Sequence, residues 1–530
     1  MNRRDFIKRV VPVTALPFVI HGFPLRAYGR SPFLEALIAA GSATDRVLVL
    51  VQLNGGNDGI NTVIPLDQYS AYSSARSNIA IPENSVIRLQ PGGPTGLHPA
   101  MTGMKTLYDD ARLTVVQGVT YPNPNLSHFR ATDIWLTASN YNEYLSTGWA
   151  GRYLDYEFPD YPNLDPKVMP DPLAIQIGSV ISLGLQGNGQ TMGIAIQDPA
   201  TFYQLVSSGT SGGTDQPPQT PAGHELTYIR QVALQSQQYA AQVKAAADKA
   251  QNRSTLYPNA GQNSLADQLK IVARLIAGGL RTRIYVVNLG GFDNHSAQVV
   301  GSSPSTGTHA TLLGRLAGAV LAFQDDLKLL AAEDRVVGLT FSEFGRRVSS
   351  NASLGTDHGT AAPMFLFGKY VKAGVVGRNP SLTDLSSGNL KMQYDFRQVY
   401  GSVLSQWFGV DQSELNAVLL RNFQPLDLIA APVTDVVKDE TLPAGYRLYE
   451  NYPNPFNPTT TISYDLPTDA DVVLKVYDMI GREVTTLVDD RQTVGRHRVL
   501  FDASNLSSGA YIYQLSAGSF ADRKKMVLVK

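Results

Sequence analysis

At 530 residues the chain is too long for one ordinary domain and suits roughly two to four. Hydrophobic residues make up 43% and charged residues 17%, which fits a core-forming chain and excludes wholesale disorder. Lys+Arg 44 against Asp+Glu 45 lacks the basic excess of a nucleic-acid binder, and the absence of cysteine excludes disulfides, thiolate metal sites and cysteine nucleophiles.

The chain opens on a basic stretch, residues 1–9, followed by the apolar run Val10–Ile20. That run suits a signal core and is too short to span a bilayer. Arg3-Arg4-x-Phe6-Ile7-Lys8 resembles the twin-arginine export signal, with Asn2 where Ser or Thr is usual. The resemblance implies a signal peptide over 1–30, cleavage near Ala27 to Arg30, and the twin-arginine translocase as a partner. No later stretch approaches the ~18 uninterrupted apolar residues of a span, so no transmembrane segment is expected in the mature chain.

From about residue 45 apolar runs alternate with helical patterns. Arg46–Leu53 is continuously apolar, as in a strand buried on both faces of a parallel sheet. Leu113–Val119, Leu173–Ile177, Arg283–Leu289, Val336–Phe341 and Pro363–Phe367 repeat the pattern. Leu312, Leu316, Val320, Phe323, Leu327 and Leu330 recur at three- and four-residue steps and predict a long amphipathic helix. Further helices are expected over about 224–250 and 263–280, and Ser207–Gly223 reads as a low-complexity surface excursion. The alternation predicts an α/β layered domain with a mainly parallel sheet over 45–430.

After a hinge at Ala430–Gly445 the pattern changes to short alternating runs: Thr460–Leu466, Val472–Asp478, Arg498–Asp502, Ala510–Leu515 and Lys525–Val529. These predict a small antiparallel β-sandwich over 446–530. Asn451-Tyr-Pro-Asn-Pro-Phe-Asn-Pro458, Val476-Tyr-Asp, Gly481-Arg482-Glu483, Ser508-Gly-Ala-Tyr-Ile-Tyr513 and the closing Lys524–Lys530 together resemble a type IX secretion sorting domain. That resemblance implies the type IX machinery as a partner and secretion to, or attachment at, the outer cell surface.

Polar clusters follow several strands. Asn54-Gly-Gly-Asn57-Asp58-Gly59 follows the first, Asp293-Asn-His295 the fourth, and Ser342-Glu343-Phe-Gly-Arg346 the fifth. Residues just past the carboxyl ends of parallel strands share one sheet edge, where sites form. Asp357-His358 precedes its strand, so a loop must carry it there. Imidazoles and carboxylates converging from separate loops can hold Zn²⁺ or Mn²⁺ without cysteine, although any single histidine is more often structural. His309 is the reserve; His98 and His224 lack such a setting, and His21 and His497 fall in the signal and tail. Gly55, Gly56 and Gly59 either cradle an anion or let backbone pass close to the site with Asp58 or Asn54 turned inward. Ser127 reads as a helix N-cap, as a nucleophile beside His128, or as both.

With Ser127-His-Phe-Arg-Ala131, Gly148-Trp149-x-Gly151-Arg152 and Asp357-His358-Gly, these pieces make residues 45–425 similar to the bacterial domain of unknown function 1501 family. That family is sulfatase-like and related to the alkaline phosphatase superfamily. The resemblance implies a three-layer α/β/α domain and a metal-dependent hydrolase of sulfate or phosphate esters, polysaccharide esters included. It also implies a divalent metal (Zn, Mn or Ca) on Asp293, His295 and His358, with Glu343, Asp58 or Asn54 completing the shell. Ser127 with His128 would attack, and Arg130 or Arg346 would steady the anion. The superfamily spacing Asp-x-x-x-His is Asp-x-His here, and Glu343-Phe344 stands where an Asp-His pair is usual, which implies one metal. The competing expectation is a catalytically inert surface protein that keeps the fold for binding.

Overall fold

In the computed structural model, which describes residues 45–158, 161, 169–188, 190–208, 239–301, 303–430, 445–451, 454–529 and two short strands at Phe18–Ile20 and Phe23–Leu25, the apolar runs pair into one sheet. The twin-arginine motif, most of Ser207–Gly223, residues 224–238 and most of the expected hinge lie outside the described residues. The chain divides into two compact units, one of 45–433 and one containing 434–530.

The sheet of the first unit has nine strands: β1 (Val47–Asn54), β2 (Leu113–Thr120), β3 (Ala174–Ile177), β4 (Gly193–Ile196), β5 (Ile284–Gly290), β6 (Val336–Phe341), β7 (Ala362–Gly368), β8 (Gly374–Val376) and β9 (Tyr394–Asp395). Their order is β8-β2-β7-β6-β1-β5-β3-β4, and β9 also pairs with β2. β7 runs antiparallel to both its neighbours; all other pairings are parallel.

Successive side chains of a strand point to opposite faces, and β1 buries both. Val47, Val49, Val51 and Leu53 enter one core and Leu48 and Leu50 the other. On the first face lie α1 (Thr102–Asp109), α4 (Ser264–Ala277) and α5 (Thr308–Leu329). On the second lie α2 (His128–Thr137), α3 (Trp149–Glu157) and α6 (Phe396–Ser402). The result is three layers, α/β/α. Each fully buried Val, Leu or Ile contributes roughly 1.5–3 kcal/mol relative to exposure. The expected amphipathic stripe holds over Leu312, Leu316, Val320, Phe323 and Leu327, all buried, while Leu330 is the C-cap residue and only partly buried.

β7 decides how the site is built. Because it runs against the others, its amino end lies at the edge where β1, β2, β5 and β6 have their carboxyl ends. Residues preceding β7 therefore reach that edge directly, and no transporting loop is needed. The register slips between Ala362 and Met364, which leaves Pro363, without an N–H to donate, at the irregularity.

The second unit holds two antiparallel sheets. One has the order β10 (Arg447–Leu448), β11 (Thr459–Leu466), β14 (Gly495–Asp502); the other has β13 (Glu483–Gln492), β12 (Ala470–Asp478), β15 (Gly509–Ala517), β16 (Phe520–Leu528). Ile462, Tyr464 and Leu466 from one sheet share a core with Val472, Leu474, Val476, Tyr513 and Met526 from the other. Each unit thus closes its own apolar core. Truncation after Ala430 is expected to leave the melting temperature of the α/β unit within about 2 °C of its value in the full chain. A larger drop in calorimetry would show that the two units share stability.

Candidate metal centre

The residues that follow β2, β5 and β6 and those that precede β7 meet at one sheet edge. His128 opens α2, Asp293 and His295 follow β5, and His358 lies on a short strand, Thr356–His358, paired antiparallel with Arg346–Ser350. Asp293 is the centre. Its Oδ1 lies 3.2 Å from His295 Nε2 and 3.5 Å from His358 Nε2, and its Oδ2 lies 3.5 Å from His128 Nε2. The Nε2 atoms of His295 and His358 are 2.9 Å apart. Among the described residues His128, Asp293 and His358 form a group able to hold a metal ion.

The tautomers follow from the partners. His358 Nδ1 lies 2.8 Å from the Leu126 carbonyl, which can only accept, so Nδ1 carries the proton and Nε2 the lone pair. His128 Nδ1 lies 2.9 Å from Glu343 Oε1, which leaves its Nε2 free in the same way. Two imidazoles therefore aim lone pairs at Asp293. Ligands about 2.0–2.1 Å from a tetrahedral ion sit about 3.3 Å apart. The separations above bracket that figure, so the two imidazoles of His128 and His358 and the Asp293 carboxylate fit a divalent cation of borderline hardness, with His295 beside Asp293 and His358 but outside that group. Burial works to raise the Asp293 carboxyl, but the hydrogen bond and charge of Arg346, then His295 and His128, hold it below the usual range. Burial pushes His358 below the usual imidazole range; the Leu126 bond opposes this, while Arg346, His128 and His295 add to it.

Several expected roles change. Glu343 is buried and does not face Asp293: its Oε1 takes the His128 Nδ1–H and, at 2.8 Å, the Gly55 N–H. Its side chain holds His128 and lies outside the His128–Asp293–His358 group. Asp58 is not in the cluster either. It is buried, paired with Arg76 at 2.5 Å and hydrogen-bonded by Gln298 at 2.6 Å, and it caps the short helix Gly59–Thr62. Asn54 ends β1, and its carbonyl accepts the Phe292 N–H at 3.0 Å. Arg130 turns away, donating to the carbonyls of Asn140, Tyr141 and Glu143 with Tyr144 stacked on its guanidinium. Arg346 is buried and bonded to four backbone carbonyls as well as Asp293, so it cannot reach an incoming anion. His128 joins Asp293 and His358 in the group able to share an ion.

Ser127 is the exposed N-cap residue of α2, and its hydroxyl makes no capping bond. It stands between Leu126, whose carbonyl holds His358, and His128, whose ring faces Asp293. The glycines serve close approach. Gly55 has φ +119°, and a Cβ there would lie 2.4 Å from the Asp293 nitrogen; at Gly56, φ +77°, it would lie 2.3 Å from the Phe344 ring.

Sequence reasoning missed the support beneath the cluster. His309 Nε2 lies 3.0 Å from Asn57 Oδ1, His98 packs edge-on to His309, and Thr356 Oγ1 donates to Gln298 Oε1 at 3.0 Å. Asp58 and Arg76 are 18 positions apart, and no local pattern links them. Burial raises the Asp58 carboxyl, but Arg76, His309 and Gln298 outweigh it and hold it at about 2. Burial depresses His309 to about 4 and His98 to about 3. Folded-state values below the ordinary 6.5 mean that the unfolded chain takes up protons first. This stability is present above about pH 6.5 and is lost as pH falls through about 4. Urea unfolding should therefore show a steep loss over that window, shallower in His309→Gln; equal slopes would count against the network.

Residues 185–420 match the family described as protein of unknown function (DUF1501), and residues 450–530 match the secretion system C-terminal sorting domain. No curated protein matches the chain. Among solved structures, dimeric latent PorU from Porphyromonas gingivalis aligns at 20% identity over 16% of this chain, with TM-score 0.14, and the chain spans only 9% of its length. A protein in the alkaline phosphatase superfamily from Vibrio parahaemolyticus aligns at 9% identity over 80% of this chain and 76% of its own, with TM-score 0.30. A sulfatase from Pseudoalteromonas sp. aligns at 10% identity over 89% and 86%, with TM-score 0.33. Residues 185–420 of the α/β unit are thus similar to the DUF1501 proteins of unknown function, and residues 450–530 to the C-terminal sorting domains of the type IX secretion system.

Proposed function

We propose that the protein is a secreted hydrolase of sulfate or phosphate esters that works with one divalent cation. The observation that carries this reading is the convergence of His128, His295 and His358 on Asp293, with Ser127 next to His128. His128, Asp293 and His358 would hold the ion, with His295 at its edge; Glu343 would orient His128, and the Leu126 carbonyl would orient His358. A cation there supplies Lewis-acid polarisation of an ester oxygen and offsets its negative charge. Ser127 offers the hydroxyl for attack, free of a cap bond and at a helix N-terminus, where backbone N–H groups favour an anion. Asp293, with 48% of its side chain exposed, leaves the centre open to substrate. The sorting tail indicates delivery to the outer surface or beyond, and export through the twin-arginine route belongs to the same proposal.

One observation favours the competing reading, an inert surface protein. Among the described residues there is a single group of this kind, and Glu343, where a further ligand was expected, is committed to His128. Assays of p-nitrophenyl sulfate and phosphate with chelated and Zn²⁺- or Mn²⁺-loaded full chain separate the two. Turnover is expected only with metal, and to fall at least 100-fold in Ser127→Ala, the order of loss expected for an attacking group. Tight metal binding without turnover of any sulfate or phosphate ester would establish the inert reading.

A further inference from the structure

The candidate ligands lie on three segments, the loop 290–295, the strand Thr356–His358 and the start of α2, and local sequence fixes none of them against another. The side chain of Arg346 joins the first two to the loop after β1. Its Nε donates to the Gly56 carbonyl at 2.7 Å, its Nη1 to Thr356 O at 2.9 Å, and its Nη2 to Phe292 O at 3.2 Å, Asp293 Oδ1 at 2.6 Å and the Gly55 carbonyl. The backbone of Arg346 is also the cross-strand partner of His358. With its side chain 0% exposed, the guanidinium finds its partners in protein alone.

We propose that Arg346 is the positioning residue of the cluster. It anchors Asp293 Oδ1 where His295 and His358 converge, and it locks loops 54–57, 290–295 and 355–358 in one register before a cation binds. A planar five-donor fork can bridge several carbonyls at fixed angles; a lysine ammonium, with three donors on one atom, cannot. This role rests on the cation reading only where affinity for metal is concerned.

The test uses Arg346→Lys in the full chain, with Arg152→Lys as control. Arg152 is another buried arginine that ties carbonyls, those of Thr137, Thr147 and Val418, beyond the far end of α2. Hydrogen exchange without metal and Co²⁺ titration followed by its visible absorption are the two readouts. Arg346→Lys is expected to speed exchange about tenfold in all three loops together. It should also weaken Co²⁺ binding by about 10–100-fold with a changed spectrum. The control should lower the melting temperature and leave both readouts at the cluster unmoved. Co²⁺ affinity within about twofold of wild type in a folded Arg346→Lys overturns the proposal. If that variant does not fold, Arg346→Gln, which leaves no unpaired cation, takes its place, and failure of both to fold reduces Arg346 to general stability and also overturns it. Wild-type protein that binds no Co²⁺ refutes the cation reading instead, and the exchange result alone then decides whether Arg346 locks the loops.

Discussion

A guanidinium taken wholly out of water must find an acceptor for its donors or destabilise the fold by several kcal/mol. At Arg346 that requirement is met by carbonyls of residues far apart in the chain, Gly55 and Gly56 on one side, Phe292 and Thr356 on the other. The glycines are part of the same solution. Backbone can come this close to Asp293 and Phe344 only where no Cβ intervenes. The demand of one buried cation thus shapes the loop after β1, and that loop in turn presents the Gly55 N–H to Glu343, which holds His128.

Fold class was legible because strands buried on both faces must be apolar at every position. Val47–Asn54, Leu113–Thr120 and Val336–Phe341 declare themselves without reference to any partner. Direction is not encoded locally, so nothing in Pro363–Phe367 reveals that β7 runs backwards. Short edge pieces such as Gly193–Ile196 and Gly374–Val376 are too brief to show a period. In the tail, Glu483–Gln492 was missed for another reason: it is an edge strand whose residues are almost all at least partly exposed and often charged, so apolar alternation is absent.

The site was legible only in part, and the division follows chain distance. Asp293, His295 and His358 stood out because polar residues at strand ends are placed by the sheet itself. The choice between ligand and support was hidden. Asp58 and Asp293 look alike in sequence; what separates them is Arg76 beneath one and open solvent beside the other. Glu343 likewise turns inward because Gly55 and His128 supply donors there.

Without cysteine, the chain has neither thiolate ligands nor disulfides to hold its loops. Imidazole and carboxylate can still supply a centre for a divalent ion, but both are weakly directional unless their second heteroatom is engaged. Here the second nitrogens of two imidazoles are engaged, His128 by Glu343 and His358 by Leu126, and Arg346 holds Asp293 through Oδ1. Buried polar networks replace covalent staples, and the network under Asp58 extends that support through Gln298 and Thr356 to the strand that carries His358. Such a network keeps its hold in an oxidising or a reducing environment alike. That tolerance suits a chain whose sorting tail indicates delivery to the outer surface or beyond.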